Sequence, residues 1–142
     1  MNLWRSARFR TFAIVLARFG LGSTYLSGVA DRFGLWGHHG TGNVSWGSFQ
    51  HYAARIQTLV PPASPVGALI LAWVATALES AFGLALLIGV RTRTMAFGSG
   101  VLLLAYAAVM AFSTAGIHAL FAYGLLGGAG ASMLLAAVGE ER

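Results

Sequence analysis

A long apolar run in the middle of the chain limits the possible folds more than any other feature. From Val66 to Val90 the sequence is almost wholly apolar, and its one acidic residue is Glu79. A helix rises about 1.5 Å per residue, so about 20 apolar residues can cross the roughly 30 Å hydrocarbon layer of a bilayer. We therefore predict a membrane-spanning helix here. An ionisable residue at that depth usually faces a bundle interior, a cavity or an opposite charge, so Glu79 requires a polar environment supplied by the rest of the chain.

The composition supports a membrane protein and excludes several other classes. Of the 142 residues, 57% are hydrophobic and 9% are charged, whereas soluble proteins contain about 25% charged residues. The length fits a single domain, so we predict one all-α integral membrane domain over residues 1–142. The net charge of +5 comes from arginines that flank apolar segments, which argues against nucleic-acid binding. The absence of cysteine excludes disulfides, thiolate metal ligands and thiol redox chemistry on this chain.

Hydropathy predicts a bundle of four membrane-spanning helices. The predicted spans cover about 11–30, 66–90, 94–112 and 117–138. The first segment also resembles a signal peptide, because Ser27 to Ala30 offers small residues for cleavage after a basic start. Arg18 interrupts its apolar core, which favours the span.

The connection over residues 31–64 is the only long polar segment, and it contains a predicted amphipathic helix. Apolar side chains recur at helical spacing from Ser48 to Leu59, with polar residues between them. Pro61 ends this pattern, since proline is not tolerated inside a helix. We predict a short helix that lies on the membrane surface between the first two spans.

The arginines predict the orientation in the membrane. In this topology, the arginines near the two chain ends and in the turn after the second span lie on one side of the membrane. Two other arginines lie on the opposite side. The first group is Arg5, Arg8, Arg10, Arg91, Arg93 and Arg142, and the second is Arg32 and Arg55. Because basic residues accumulate on the cytoplasmic side, we expect both termini in the cytoplasm, the long connection outside, and the protein in a bacterial plasma membrane.

Arg18 and Glu79 are the two charges that this topology places well inside the hydrocarbon. Counted from the cytoplasmic ends of their spans, Arg18 lies about 10 Å deep and Glu79 about 16 Å deep. A long arginine side chain can cover that difference. Two hypotheses follow: a buried ion pair that locks the first span to the second, or a pair that lines a cavity for a polar head group or a proton.

Tyr106 and His118 are the candidate cofactor-binding residues. Tyr106 lies roughly 18 Å from the cytoplasmic face, level with Glu79, and can donate a hydrogen bond to that carboxylate or to a ligand carbonyl. His118 lies at the outer mouth of the fourth span. With His38, His39 and His51 it offers imidazoles for zinc, copper or haem, but no helical spacing joins these four residues. We expect solvated loop histidines and no metal site.

Small residues predict close helix packing. Gly20, Thr24 and Gly28 recur every four residues in the first span, as do Gly124, Gly128 and Ser132 in the fourth. Such spacing lets membrane helices approach closely, within one chain or between copies in a homo-oligomer.

The chain resembles the DoxX family of small four-span bacterial membrane proteins. The resemblance covers nearly its whole length and lies in an early arginine followed by small residues in the first span, and in a glutamate, glycines and a basic turn in and after the second. The residues concerned are Arg18, Gly20, Gly22, Ser27, Gly28, Asp31, Glu79, Gly83, Gly89, Arg91 and Arg93.

The resemblance implies a four-helix membrane bundle, with Arg18 and Glu79 at family-type positions, and a link to redox metabolism. Some relatives are membrane subunits of thiosulfate:quinone oxidoreductase. The leading hypothesis is therefore a redox-associated membrane subunit. It would offer a pocket lined by Arg18, Glu79 and Tyr106 to a quinone or a small oxidised sulfur species, and would work with a partner redox protein.

Two alternatives remain. The chain can be a non-catalytic assembly or binding subunit of a larger complex, in which the Arg18–Glu79 pair is purely structural. It can also be a small proton-coupled transporter, although no inverted repeat or broken span supports this alternative.

Overall fold

The computed structural model describes residues 6–61, 63–113, 118, 121 and 123–139, and within them the regular elements are all helices. These are α1 (Ala7–Arg32), α2 (Phe49–Leu59), α3 (Pro65–Ile88), α4 (Thr92–Phe112) and α5 (Leu125–Val138). Three of them, α1, α3 and α4, are long and apolar enough to cross a membrane, and α5 is a shorter apolar helix. The all-α prediction is confirmed for the described residues.

Capping residues explain where α1 begins and where α3 begins and ends. The Ser6 hydroxyl accepts a hydrogen bond from the backbone N–H of Phe9 at 3.2 Å, so α1 begins before the predicted residue 11. Ser64 caps α3 in the same way, and Pro65 occupies its first turn, where proline is tolerated. Gly89 takes a left-handed conformation (φ 82°), which ends α3 at Ile88.

The fourth predicted span is seen only in part. It was expected over residues 117–138, whereas α5 begins at Leu125, directly after Gly124 in a left-handed conformation (φ 62°). Most of residues 114–122 lie outside the described residues. A fourth membrane crossing therefore stays a prediction.

Helices α1 and α3 run antiparallel and come closest at two glycines. A Cβ atom on Gly22 would lie 2.9 Å from the Gly83 carbonyl oxygen, so a side chain would push the helices apart. From this crossing, Arg18 lies beside Leu86, and Arg32, the last residue of α1, lies beside Thr76. Residues 65–75 of α3 therefore extend beyond the end of α1.

Helix α2 packs against this extended part of α3. Tyr52 contacts Ala72 and Ala75, and the rings of Phe49 and Trp73 lie 4.3 Å apart. A helix is present at the predicted position and begins after its Ser48 cap, whereas its location on the outer membrane surface stays a prediction. Ala72 lies about 10 Å along α3 from Pro65, so α2 lies against the side of α3 as well as near its start.

Helices α4 and α5 pack on each other, and a chain of hydroxyl groups ties them to α1. The Tyr25 hydroxyl lies 2.8 Å from Ser99 Oγ, which lies 3.0 Å from Ser132 Oγ. Both serines are fully buried. Of the predicted small-residue faces, Ser132 is in the core, whereas a Cβ atom on Gly20 or Gly124 would meet no neighbour within 4 Å.

This geometry predicts opposite effects for alanine at two nearby glycines of α1. Alanine raises helix propensity by about 1 kcal/mol at either position. Gly20→Ala has open space and is expected to be neutral or stabilising, whereas Gly22→Ala meets the Gly83 carbonyl and the Leu87 side chain and should lower the free energy of unfolding by about 1–3 kcal/mol. Denaturant unfolding in detergent measures both. Equal effects at the two sites would show that α1 and α3 do not cross here.

Candidate functional site

Glu79 lies in a buried group of polar side chains from three helices, which we call the polar centre: Arg32, Thr76, Glu79 and Tyr106. Arg32 Nη2 donates to both Glu79 carboxylate oxygens, at 2.8 and 2.7 Å. Arg32 Nη1 donates to Thr76 Oγ1 at 2.9 Å, and the Tyr106 hydroxyl donates to Glu79 Oε1 at 2.6 Å. Arg32 and Glu79 are 5% and 4% exposed, so this is a buried ion pair.

The sequence places these groups together through simple helical geometry. Thr76 and Glu79 are three residues apart and share one face of α3. Arg32 is in the last turn of α1, where the helix dipole favours a cation. Tyr106 comes from α4, so the polar centre links three helices.

Tyr52 of α2 covers the polar centre. Its ring lies under the Arg32 guanidinium, with Cζ 3.7 Å from the ring centroid, a cation–π contact. Burial raises the pKa of Tyr52 to about 12, with Glu79 adding to the effect and Arg32 opposing it, so the phenol is neutral at physiological pH. Arg32 Nε is buried without an acceptor in the described part of the chain, which costs about 1–3 kcal/mol.

Asp31, next to Arg32, holds the loop that follows α1. Its carboxylate accepts hydrogen bonds from the backbone N–H groups of Ser45, Trp46 and Gly47 at 3.0, 3.1 and 3.3 Å. These bonds fold the loop back onto the end of α1. They bring Trp46 against Tyr52, with ring centroids 5.2 Å apart, and so position α2 over the polar centre.

The predicted contact between Arg18 and Glu79 is wrong. Arg18 Nε and Nη2 donate to the carbonyl oxygens of Leu86 and Leu87 at 2.9 and 3.1 Å, so Arg18 caps the C-terminal end of α3. Cations are favourable at that end of a helix. Glu79 lies about two turns earlier in α3. Its cation is Arg32, which the arginine distribution alone assigns to the outer side of the membrane.

Of the two acceptors considered for Tyr106, the structure shows Glu79, whereas the histidines lie elsewhere. His118 is exposed, and it is not among the residues that line the cavity beside the polar centre. The rings of His39 and His51 stack at 4.3 Å in the connection between α1 and α3. Within the described residues no three potential metal ligands come together.

A cavity of about 570 Å³ lies beside the polar centre. Arg32, Glu79 and Tyr106 are on its wall. Most of the remaining wall is apolar, from residues of α2, α3 and α4 that include Ile56, Leu71, Val74, Leu78, Leu103 and Val109. Ligand sites are typically apolar cavities of this size with a few polar groups.

The cavity wall reaches the outside of the bundle. Four of its apolar residues are substantially exposed: Leu71 44%, Val74 49%, Leu78 38% and Val109 40%. A ligand that is soluble in the bilayer would meet these side chains first. The arrangement suits an amphiphile, with the polar head near Glu79 and the apolar part along α3 and α4.

Comparison of the chain with protein-family models, curated proteins and solved structures yields no match.

A double-mutant cycle tests the ion pair. Removing one partner leaves a buried charge, so Arg32→Met and Glu79→Met should each lower the free energy of unfolding by about 3–5 kcal/mol. The double variant should lose much less than the sum, because no unpaired charge remains. Denaturant unfolding in detergent gives all four values. Additive effects would contradict the pairing, and Arg18→Met combined with Glu79→Met is the control pair that should add.

Proposed function

We propose that the chain is a redox-associated membrane subunit of the DoxX type, which binds a quinone and presents it to a partner redox protein. The observation that carries this proposal is the largely apolar cavity of about 570 Å³ with a buried Arg–Glu–Tyr group on its wall. In this proposal α5 and the residues before it complete a fourth span. Both termini lie in the cytoplasm, as the arginine distribution predicts.

The cavity lining favours a quinone over a small oxidised sulfur species. A sulfur oxoanion needs several donors and a net positive site to offset its lost hydration. The charge of Arg32 is already neutralised by Glu79 at 2.7 Å. Among the described residues Arg55 is the only other cation on the cavity wall, and Glu79 and Asp31 are also there, so the wall has no net positive charge. A quinone has an apolar ring and tail for the walls along Leu71 and Val74, and two carbonyl oxygens for the few donors.

The polar centre also suits the proton chemistry of a quinone. Reduction of a quinone to a quinol takes up two electrons and two protons. The chain has no cysteine, so no thiol of its own supplies electrons; in this proposal they come from the partner, and the protons come ultimately from water. Glu79 is the group that can carry a proton at the cavity wall. Tyr106, bonded to it at 2.6 Å, is the group that can exchange that proton with the ligand.

A non-catalytic assembly subunit is the second candidate. It is favoured by the complete engagement of Glu79, whose two oxygens accept three hydrogen bonds from Arg32 and Tyr106. In that case the polar centre serves stability alone, and no quinone binds.

Tryptophan fluorescence distinguishes the two candidates, because Trp36 and Trp46 lie on the cavity wall. In detergent, a decyl-substituted benzoquinone should quench the emission in a saturable way. Val74→Phe, which narrows the cavity, should weaken binding about tenfold, equivalent to ~1.4 kcal/mol. Leu84→Phe is the matched control, since Leu84 is 54% exposed on α3, about 15 Å along the helix from Val74, and is not on the cavity wall. Quenching that never saturates and is the same in all three proteins would contradict the quinone site.

A further inference from the structure

Arg55 occupies an unexpected place on α2. The residues of α2 on the cavity wall are Tyr52, Arg55, Ile56 and Leu59, spaced as i, i+3, i+4 and i+7 along one helix face. The opposite face carries the exposed polar residues. The other three residues of this inward face are aromatic or aliphatic. Arg55, a cation among them, is therefore the exception to the amphipathic pattern of α2.

Within the described residues, the Arg55 guanidinium has no hydrogen-bond or ion-pair partner. The other charges on the cavity wall are already engaged: Glu79 by Arg32, and Asp31 by three backbone N–H groups. Arg55 is only partly exposed. It is therefore the cavity cation whose charge no described side chain offsets.

Its surroundings make this arrangement costly without a ligand. Helix α2 lies along the part of α3 that includes Ala72 and Ala75, inside the length of a helix that is long enough to span a membrane. Leu71 and Val74 of α3 line the same cavity. A guanidinium carries five N–H donors and no acceptor, and a cation beside apolar walls needs an acceptor or an anion.

We propose that Arg55 binds the polar head of the cavity ligand, and that this head carries an oxygen acceptor, either a quinone carbonyl or a carboxylate. The apolar remainder of the ligand lies against Leu71, Val74 and Leu78. This assignment rests on the proposal that the cavity binds an amphiphile, but it does not require the amphiphile to be a quinone. Arg55 is then the residue that selects the head group.

Calorimetric titration of the full chain in detergent tests the assignment with two probes, a decyl-substituted benzoquinone and decanoate. Arg55→Gln should weaken the binding of at least one probe about 10- to 100-fold, the worth of a hydrogen bond to a charged group. Arg55→Lys keeps the charge but not the planar donors, and should retain part of the affinity. Arg8→Gln removes an equal charge from an exposed site on α1 and should bind as wild type.

The outcomes separate this inference from the proposed function. If folded Arg55→Gln binds both probes as tightly as wild type, the role of Arg55 is wrong and the quinone site stands. If wild type binds decanoate alone, and Arg55→Gln does not, Arg55 stands and the quinone function fails. If wild type binds neither probe, both fail. Far-UV circular dichroism and unfolding temperature confirm that the variants are folded.

Discussion

The buried contact between Arg32 and Glu79 determines how α1 and α3 are aligned. Arg32 is the last residue of α1 and Glu79 lies well inside α3, so the pair at 2.7 Å places the end of α1 partway along its neighbour. The close approach of Gly22 and Gly83, further from the end of α1, fixes the same alignment of the two helices. A pair this deeply buried stabilises a fold only when further hydrogen bonds satisfy it, and Thr76 and Tyr106 supply them.

The cavity follows from this alignment. Because α1 ends beside Thr76, residues 65–75 of α3 lack a neighbour from α1, and α2 packs there instead. A short amphipathic helix covers less of α3 than a full span would. The space that is left has a largely apolar lining that also includes residues of the polar centre and Arg55. The ion pair that holds the bundle thus also shapes the site that we propose for a quinone.

The sequence predicts the helices far better than their contacts. Apolar runs located α1, α3 and α4, and Ser48 and Pro61 bracketed α2. Depth along single spans placed Tyr106 level with Glu79, so that a bond between them was one of the possibilities, but it chose Arg18 as the cation. Depth along one helix does not show how far that helix is shifted along its neighbour. In this structure the shift of α1 along α3 is fixed by the packing at Gly22 and Gly83 together with the Arg32–Glu79 pair. The Asp31-Arg32 pair at the end of a span is typical of a surface, and only the shift makes Arg32 a buried residue.

The most direct measurement is the content of the cavity in protein purified gently from its native membrane. Lipids are extracted from wild type and from the Arg32→Met/Glu79→Met double variant and identified by mass spectrometry. The comparison shows which ligands need a charged polar centre. Our account predicts about one quinone per chain in wild type and its loss from the folded double variant. The same lipids in both proteins, with no stoichiometric amphiphile, would contradict it and leave the polar centre a purely structural ion pair.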